Sequence, residues 1–536
     1  MGFTCSPEVR QLFTLREENR FAGFELAVAD SAQSTLLTLS RLCVTAAFQA
    51  VFENSVYQTR GRAVIPVITG CKTVLAEQLL GVFEVIRSGN FAHYSTVGQL
   101  KTGAEYTSIR AVFGCLSVNT KLCAATRYNR AMKTFIAIGY VWPEPNSSAA
   151  GSRMLQILSL MRARGYRVLF ASPADDSDHA VDLAALGIEK HRIELNSSTF
   201  DTWLAEQTPD IVMFDRFMME EQFGWRVEKF APKALRILDM EDVHCLRDAR
   251  HRAVKAGRPV TELEWQTDMA FREIASLLRC DLTLVISEYE MSWLQHNFPV
   301  DPSKILYLPF MLSPSDRELK PFNEREHFIS IGNFRHAPNW DAVLQLRELW
   351  PDIRRQLPSA ELHVYGAYPP KKATQLDNPG LGFRVKGWAP SAEVVISSAR
   401  VMLAPLRFGA GLKGKLLDAA SLGTPAVTSG IGAEGMYGSE PSPAMVADKA
   451  IEFVESAVAL YKDEFLWSEY SARGPHLANA RFNEAIHGQN LLTRIDDLLN
   501  GLERHRQLDF IGGMLRHHSL KSTQYMAQWI EAKNRH

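Results

Sequence analysis

From residue 132 onward the apolar positions fall into short unbroken runs. Between them lie longer stretches where apolar residues recur every three or four positions. The runs are TFIAIGY (134–140), RVLFAS (167–172), DIVMFD (210–215), LRILDM (235–240), LTLVIS (282–287) and ILYLP (305–309). Short runs that are apolar on both faces predict parallel strands, and the stretches at 149–164, 261–279 and 288–297 predict crossover helices. At 309–326 the stretch PFMLSPSDRELKPFNERE breaks the pattern with prolines and charges, as an interdomain linker would. A second series follows: FISIGN (328–333), ELHVYG (361–366), FRVKGW (383–388), VMLAPL (401–406), PAVTS (425–429) and MVAD (445–448). The pattern therefore predicts one α/β domain over 132–312, a second over 326–481, and a polar helical tail over 482–536. Open parallel sheets bind ligands at the carboxyl ends of their strands, so a cleft between the two sheets is the expected site.

Residues 1–131 differ in kind. They have no tryptophan, only Pro7 and Pro66 as prolines, and five of the seven cysteines. No fold or function follows from them. The apolar stretches at 34–52 and 63–86 are interrupted by Arg41 and by Lys72, Glu77 and Glu84, so both read as amphipathic or buried segments rather than membrane spans. Met1 is not followed by a basic region and cleavage site, so secretion is not expected. The odd cysteine count, without any CxxC pair, fits a reduced cytoplasmic protein. A net charge of -1 implies no nucleic-acid partner. Oligomeric state is not legible.

The densest chemistry lies after VMLAPL. Gly409, Gly411, Gly414, Lys413 and Lys415 fall within seven positions, ahead of a helix expected over 411–422. Glycines let a backbone approach a ligand, and a helix N-terminus offers unpaired N–H groups with partial positive charge. Two lysines in a first turn oppose the helix dipole, which argues for an anion there, a phosphate or diphosphate. A P-loop reading lacks its magnesium ligand, because GxxxxGK is followed by Leu416. The GxGxxG spacing, with Glu434 some twenty residues on, suggests a dinucleotide site, but the loop follows about the fourth strand of its domain instead of the first.

A sugar-nucleotide site is the third reading. The segments LAPLRFGAGLKGKLLDAASLGTPAVTSGIGAEGM and FISIGNFRHAPNWDAVLQLRELWPDI resemble the donor domain of family 4 GT-B glycosyltransferases, and the resemblance runs from about 132 to about 483. It implies a GT-B fold, two Rossmann-like parallel-sheet domains facing a cleft. It also implies retaining transfer from a nucleotide diphosphate sugar to a sugar-containing acceptor. That family carries two glutamates eight positions apart. The second falls on Asp418, implying ribose binding, and the first falls on Ala410, a departure that puts the usual contact to the donor sugar in doubt.

The resemblance further places Gly411, Lys413 and Lys415 at the diphosphate. Gly332 and Arg335 would lie near it, as would Gly151 in the loop after the first strand. Gly387 and Trp388 fall where the base lies, and Glu434 would approach the cleft. His244 falls at the position of an active-site histidine, beside Asp242. Arg335 also reads as a solvated arginine, Trp388 as interdomain packing and Asp242 as a helix cap. Asp176 and Asp178 have DxD spacing but read as loop and cap, so neither metal nor cofactor is expected, the lysines serving instead. The acceptor stays open, as does contact of the first domain with a membrane surface. Two alternatives stand beside the transferase: a catalytically degenerate sugar-nucleotide binder or scaffold, and a nucleotide-sugar epimerase.

Overall fold

The computed structural model describes residues 132–534, Glu262 excepted, so the expectations for 1–131 lie outside the described residues. The first sheet contains β1 (Thr134–Ile138), β2 (Arg167–Ser172), β3 (Glu189–Arg192), β4 (Ile211–Asp215), β5 (Leu235–Asp239), β6 (Leu282–Val285) and β7 (Ile305–Tyr307). The second contains β8 (Glu326–Ile331), β9 (Leu362–Tyr365), β10 (Phe383–Gly387), β11 (Ala399–Ala404), β12 (Ala426–Thr428) and β13 (Ala444–Val446). Their orders are β3-β2-β1-β4-β5-β6-β7 and β10-β9-β8-β11-β12-β13, with every pairing parallel.

All twelve expected strands are present, and β3 is an addition. Its sequence, EKHR, is mostly exposed at the sheet edge, so it has no apolar run to reveal it.

The helices, in chain order, begin with α1 (Ala149–Ala163), α2 (Thr199–Gln207), α3 (Phe217–Phe230), α4 (His244–Lys255) and α5 (Asp268–Arg279). Next come α6 (Glu288–Asn297), α7 (Ala337–Gln356), α8 (Lys371–Thr374), α9 (Ala392–Ser398) and α10 (Gly414–Ser421). The last are α11 (Gly430–Ala433), α12 (Ala450–Lys462), α13 (Glu464–Arg481), α14 (Glu484–Leu508) and α15 (Phe510–Asn534). The helix expected from 261 starts only at Asp268, because Thr267 caps it by accepting from the Ala270 N–H. Likewise the helix expected from 411 starts at Gly414, leaving the glycines before it as loop.

The tail belongs to the first sheet's layer. Leu491, Ile495 and Leu498 of α14 are buried in one apolar cluster with Phe135 and Ala137 of β1, and with Ile157 and Met161 of α1. Beyond it, α15 packs on α3 and α5. The chain therefore crosses between the sheets twice, and the crossings touch. The Leu312 N–H donates to the Phe482 carbonyl at 2.6 Å, and the Glu484 N–H donates to the Leu312 carbonyl at 2.9 Å. No helix of the described residues is long and apolar enough to cross a membrane.

In both sheets the strand order reverses beside the strand that opens the series, between β1 and β4 and between β8 and β11. The crevice at such a reversal is where α/β sheets hold ligands. The loops after β1, β5 and β6 face those after β8, β11 and β12 across it.

Candidate active site

Burial of β11 brings the glycine-lysine loop to the floor of this crevice. Lys413 is the N-cap of α10, and its own side chain makes no cap hydrogen bond. The first turns of α10 and α1 abut: a Cβ on Gly414 would lie 2.5 Å from that of Ala149. Two helix N-termini thus meet, and Lys413 and Lys415 add full charge beside them. Lys413 Nζ reaches only carbonyls of its own loop, those of Ala410 and Gly411. Lys415 Nζ donates to Asn339 Oδ1 at 2.7 Å, a neutral partner. Burial, followed by the charge of Lys413, pushes the Lys415 pKa down to about 8. Burial also lowers that of Lys413, against the pull of Glu434 and Glu290. Two crowded ammonium groups, with no carboxylate at ion-pair distance among the described residues, are held where an anion would relieve them.

Asp418 lies on the next turn of α10, its surface exposed to solvent. The protein packed around it pushes its pKa up toward about 7, and water at its surface damps that push.

The backbone after β8 is tight. A Cβ on Gly332 would meet the Asn339 side chain at 2.6 Å. Arg335 is exposed and stacks on Tyr368, its guanidinium 3.6 Å from the ring centroid. Tyr368 in turn donates from its hydroxyl to Glu144 of the first domain at 2.8 Å. Gly387 has φ +76 with open space around it, as a backbone that lets a flat ligand pass requires. Trp388 is engaged across the crevice, with Nε1 donating to the Asn146 carbonyl at 3.0 Å and its ring 4.8 Å from that of His179. Gly151 is buried in the first turn of α1. Its N–H donates to Ser148 Oγ at 3.1 Å, and the Glu144 backbone fills the place of a Cβ.

On the first domain Asp242 and His244 follow β5. Burial pushes the Asp242 pKa up, but the charges of Arg247 and His244 outweigh it and the net shift is down, so this carboxylate is ionised. His244 is buried against Phe217, with Nδ1 2.9 Å from the Asp242 carbonyl. A carbonyl oxygen only accepts, so Nδ1 is the donor in that contact. The N–H groups of His244 and Cys245 donate to the two oxygens of buried Glu273, so the first turn of α4 is already capped. Asp242 is therefore an ion-paired wall residue, not the cap of α4.

Glu434 is held by Arg250 in a two-pronged pair of 2.8 and 2.7 Å, and Arg250 also donates to the Gly409 carbonyl at 2.8 Å. The pair is buried and joins the two domains, so removing either partner would strand a charge. Asp176 pairs with Lys190. Among the described residues no group of three His, Cys, Asp or Glu side chains is arranged to hold a metal.

Three residues of the crevice escape sequence reasoning. His336 ends the loop after β8, and its pKa is pushed down by the crowding around it and by Arg247. Asn339 holds Lys415. Glu290 spans from α6 to the glycine loop, its Oε1 accepting from the Gly411 N–H at 2.8 Å. The proline at 338 is the signal that could flag a helix start near His336.

This architecture, two Rossmann-like sheets with a basic helix start at the second one's reversal point, is the GT-B fold. Residues 325–463 match the family described as Glycosyl transferases group 1. Sucrose-phosphate synthase from Thermosynechococcus elongatus is similar in structure at 14% identity and TM-score 0.53, over 69% of this chain and 100% of that one. Anabaena Alr3699/HepE, solved with UDP-glucose, aligns at 10% identity and TM-score 0.52, over 68% and 100%. A glycosyltransferase from Rickettsia africae ESF-5 aligns at 10% and 0.51, over 69% and 99%. Likeness at these identities shows the shared fold. No curated protein sequence matches the chain.

Proposed function

We propose that the protein is a retaining, metal-independent glycosyltransferase that binds a nucleotide diphosphate sugar on the second domain and a sugar-containing acceptor on the first. One observation carries the reading. Lys413 and Lys415 stand at the junction of two helix N-termini with no carboxylate within ion-pair distance among the described residues. When the glycosidic bond to the diphosphate breaks, negative charge grows on the leaving oxygen, and preformed positive charge stabilises it best. Asp418 is placed to accept hydrogen bonds from the donor ribose. Gly387 leaves room for the base. Asp242 and His244 line the acceptor side, where His244 Nε2 can take a hydroxyl proton. Retention rests on the family resemblance, and the protein's place of work is proposed to be the cytoplasm.

A binder without turnover is the second reading, favoured by Ala410 in place of a glutamate. Calorimetric titration of UDP, GDP and ADP, with and without EDTA, tests both. One diphosphate should bind regardless of EDTA, and a Lys413→Ala/Lys415→Ala variant should lose it. Binding without any consumption of the corresponding sugar nucleotide would favour the binder.

A further inference from the structure

The segment SEYE, 287–290, has capping-box spacing, in which the glutamate reaches back to the N-cap N–H. The structure uses Glu290 otherwise. Ser287 makes no side-chain cap bond at the start of α6. Glu290 Oε1 accepts from the Val243 N–H of the first domain and the Gly411 N–H of the second, each at 2.8 Å. The residue is 1% exposed, and Oε2 has no hydrogen-bond partner among the described residues. A buried carboxyl oxygen left bare is unfavourable unless a further group completes it.

The surroundings indicate which group that is. Asp242 and Lys413 are the charged side chains that act on Glu290. A donor diphosphate held at Lys413 carries its sugar one bond away. For transfer, that sugar must lie between the glycine loop and the strand ends of the first domain, and Glu290 bridges those two elements. The loop supplies no carboxyl of its own there. Ala410 is buried in the first domain's apolar cluster with Val243 and Leu246, where a glutamate would be stranded.

We propose that Glu290 is the sugar-positioning group of the donor pocket: Oε1 fixes the Gly411 backbone while Oε2 bonds a hydroxyl of the sugar being transferred. The proposal rests on the donor site described under the proposed function. It differs from a mere interdomain tie in one respect. A tie alone would affect a nucleoside diphosphate and its sugar conjugate equally, whereas a sugar contact adds a loss seen with the conjugate alone.

The test titrates UDP against UDP-glucose, ADP against ADP-glucose and GDP against GDP-mannose, into wild type, Glu290→Gln and Glu290→Ala, with thermal midpoints for each. For the pair that wild type binds, Glu290→Ala should weaken the sugar nucleotide by about tenfold more than it weakens the diphosphate. Glu290→Gln keeps an acceptor oxygen and should fall between. If Glu290→Ala does not fold, the Gln variant decides by the same comparison. Equal weakening of both ligands, or none, would overturn the proposal and leave the donor site standing. Failure of wild type to bind any diphosphate would overturn the donor site first, and this proposal with it.

Discussion

Lys415 is a titrating switch within the range of ordinary buffers. Its free pKa of about 8 lies below the usual lysine value because the charged form is crowded. A bound diphosphate favours that charged form, so its pKa must rise in the complex. Diphosphate affinity should therefore hold steady up to about pH 8 and then fall as the free lysine deprotonates. The fall can reach about tenfold per pH unit. Lys415→Arg keeps its charge and should flatten this limb. Titrations at pH 7, 8, 9 and 10 would show it, and a wild type without any loss above pH 8 would contradict the assignment. Legibility at this scale depends on whether a residue type suits its local setting. Lys413 and Lys415 stand out in the sequence because charge in a glycine-rich first turn has no structural use. Glu290 does not, because its spacing from Ser287 already suits a capping box. Glu434 is visible, but its partner Arg250 looks like one more solvated arginine on α4, and only the folded contact separates the two cases.

At the scale of elements, the meeting of α1 and α10 controls the site. Gly414 is not at a strained φ; it is required because Ala149 occupies the space of its side chain. Gly414→Val would push the two helix starts apart and move Lys415 with them. The expected outcome is a loss in kcat/KM of the order of 100-fold, as a displacement near 1 Å commonly costs, with a small change in thermal midpoint. Unchanged kinetics would mean that the two N-termini act separately. The elements themselves are largely legible. A buried run of four to seven apolar residues bounded by turns is too short for a helix and too apolar for a loop, and β5 and β11 lead directly to the site. The misses share a cause: β3 and the delayed start of α5 are set by tertiary neighbours and a threonine cap, which leave little trace in hydrophobic periodicity.

At the scale of the molecule, the C-terminal helices pack on the first domain alongside its own crossovers. Arg506 of α14 grips Asp281 through Nε at 2.8 Å and Nη2 at 2.7 Å, ahead of β6. Burial opposes ionisation of Asp281, but Arg506 and Arg236 prevail and bring its pKa down to about 2. A depressed carboxylate stabilises the fold above its unfolded pKa near 4 and loses that contribution as pH falls through about 2. The shift corresponds to roughly 2 kcal/mol. Acid should loosen α14 between those values. Arg506→Ala should bring the loosening nearer neutrality, with amide exchange rising in β1, β5 and β6 and much less in β8 and β11. Equal exchange in both sheets would show that the tail serves the whole molecule alike. The tail carries no motif, so its helical character is legible in the sequence while its docking is not.

The paired crossings at Leu312 and Phe482–Glu484 mean that the first domain is not a continuous stretch of chain. It is built from 132–312 and from the tail, with the second domain set between them like an insert. Recombination at a single point could never exchange one donor specificity for another while keeping the acceptor half whole. A working chimera must be cut at both crossings, replacing the segment between them as a cassette. The hydrogen-bonded pair of crossings marks where both seams belong.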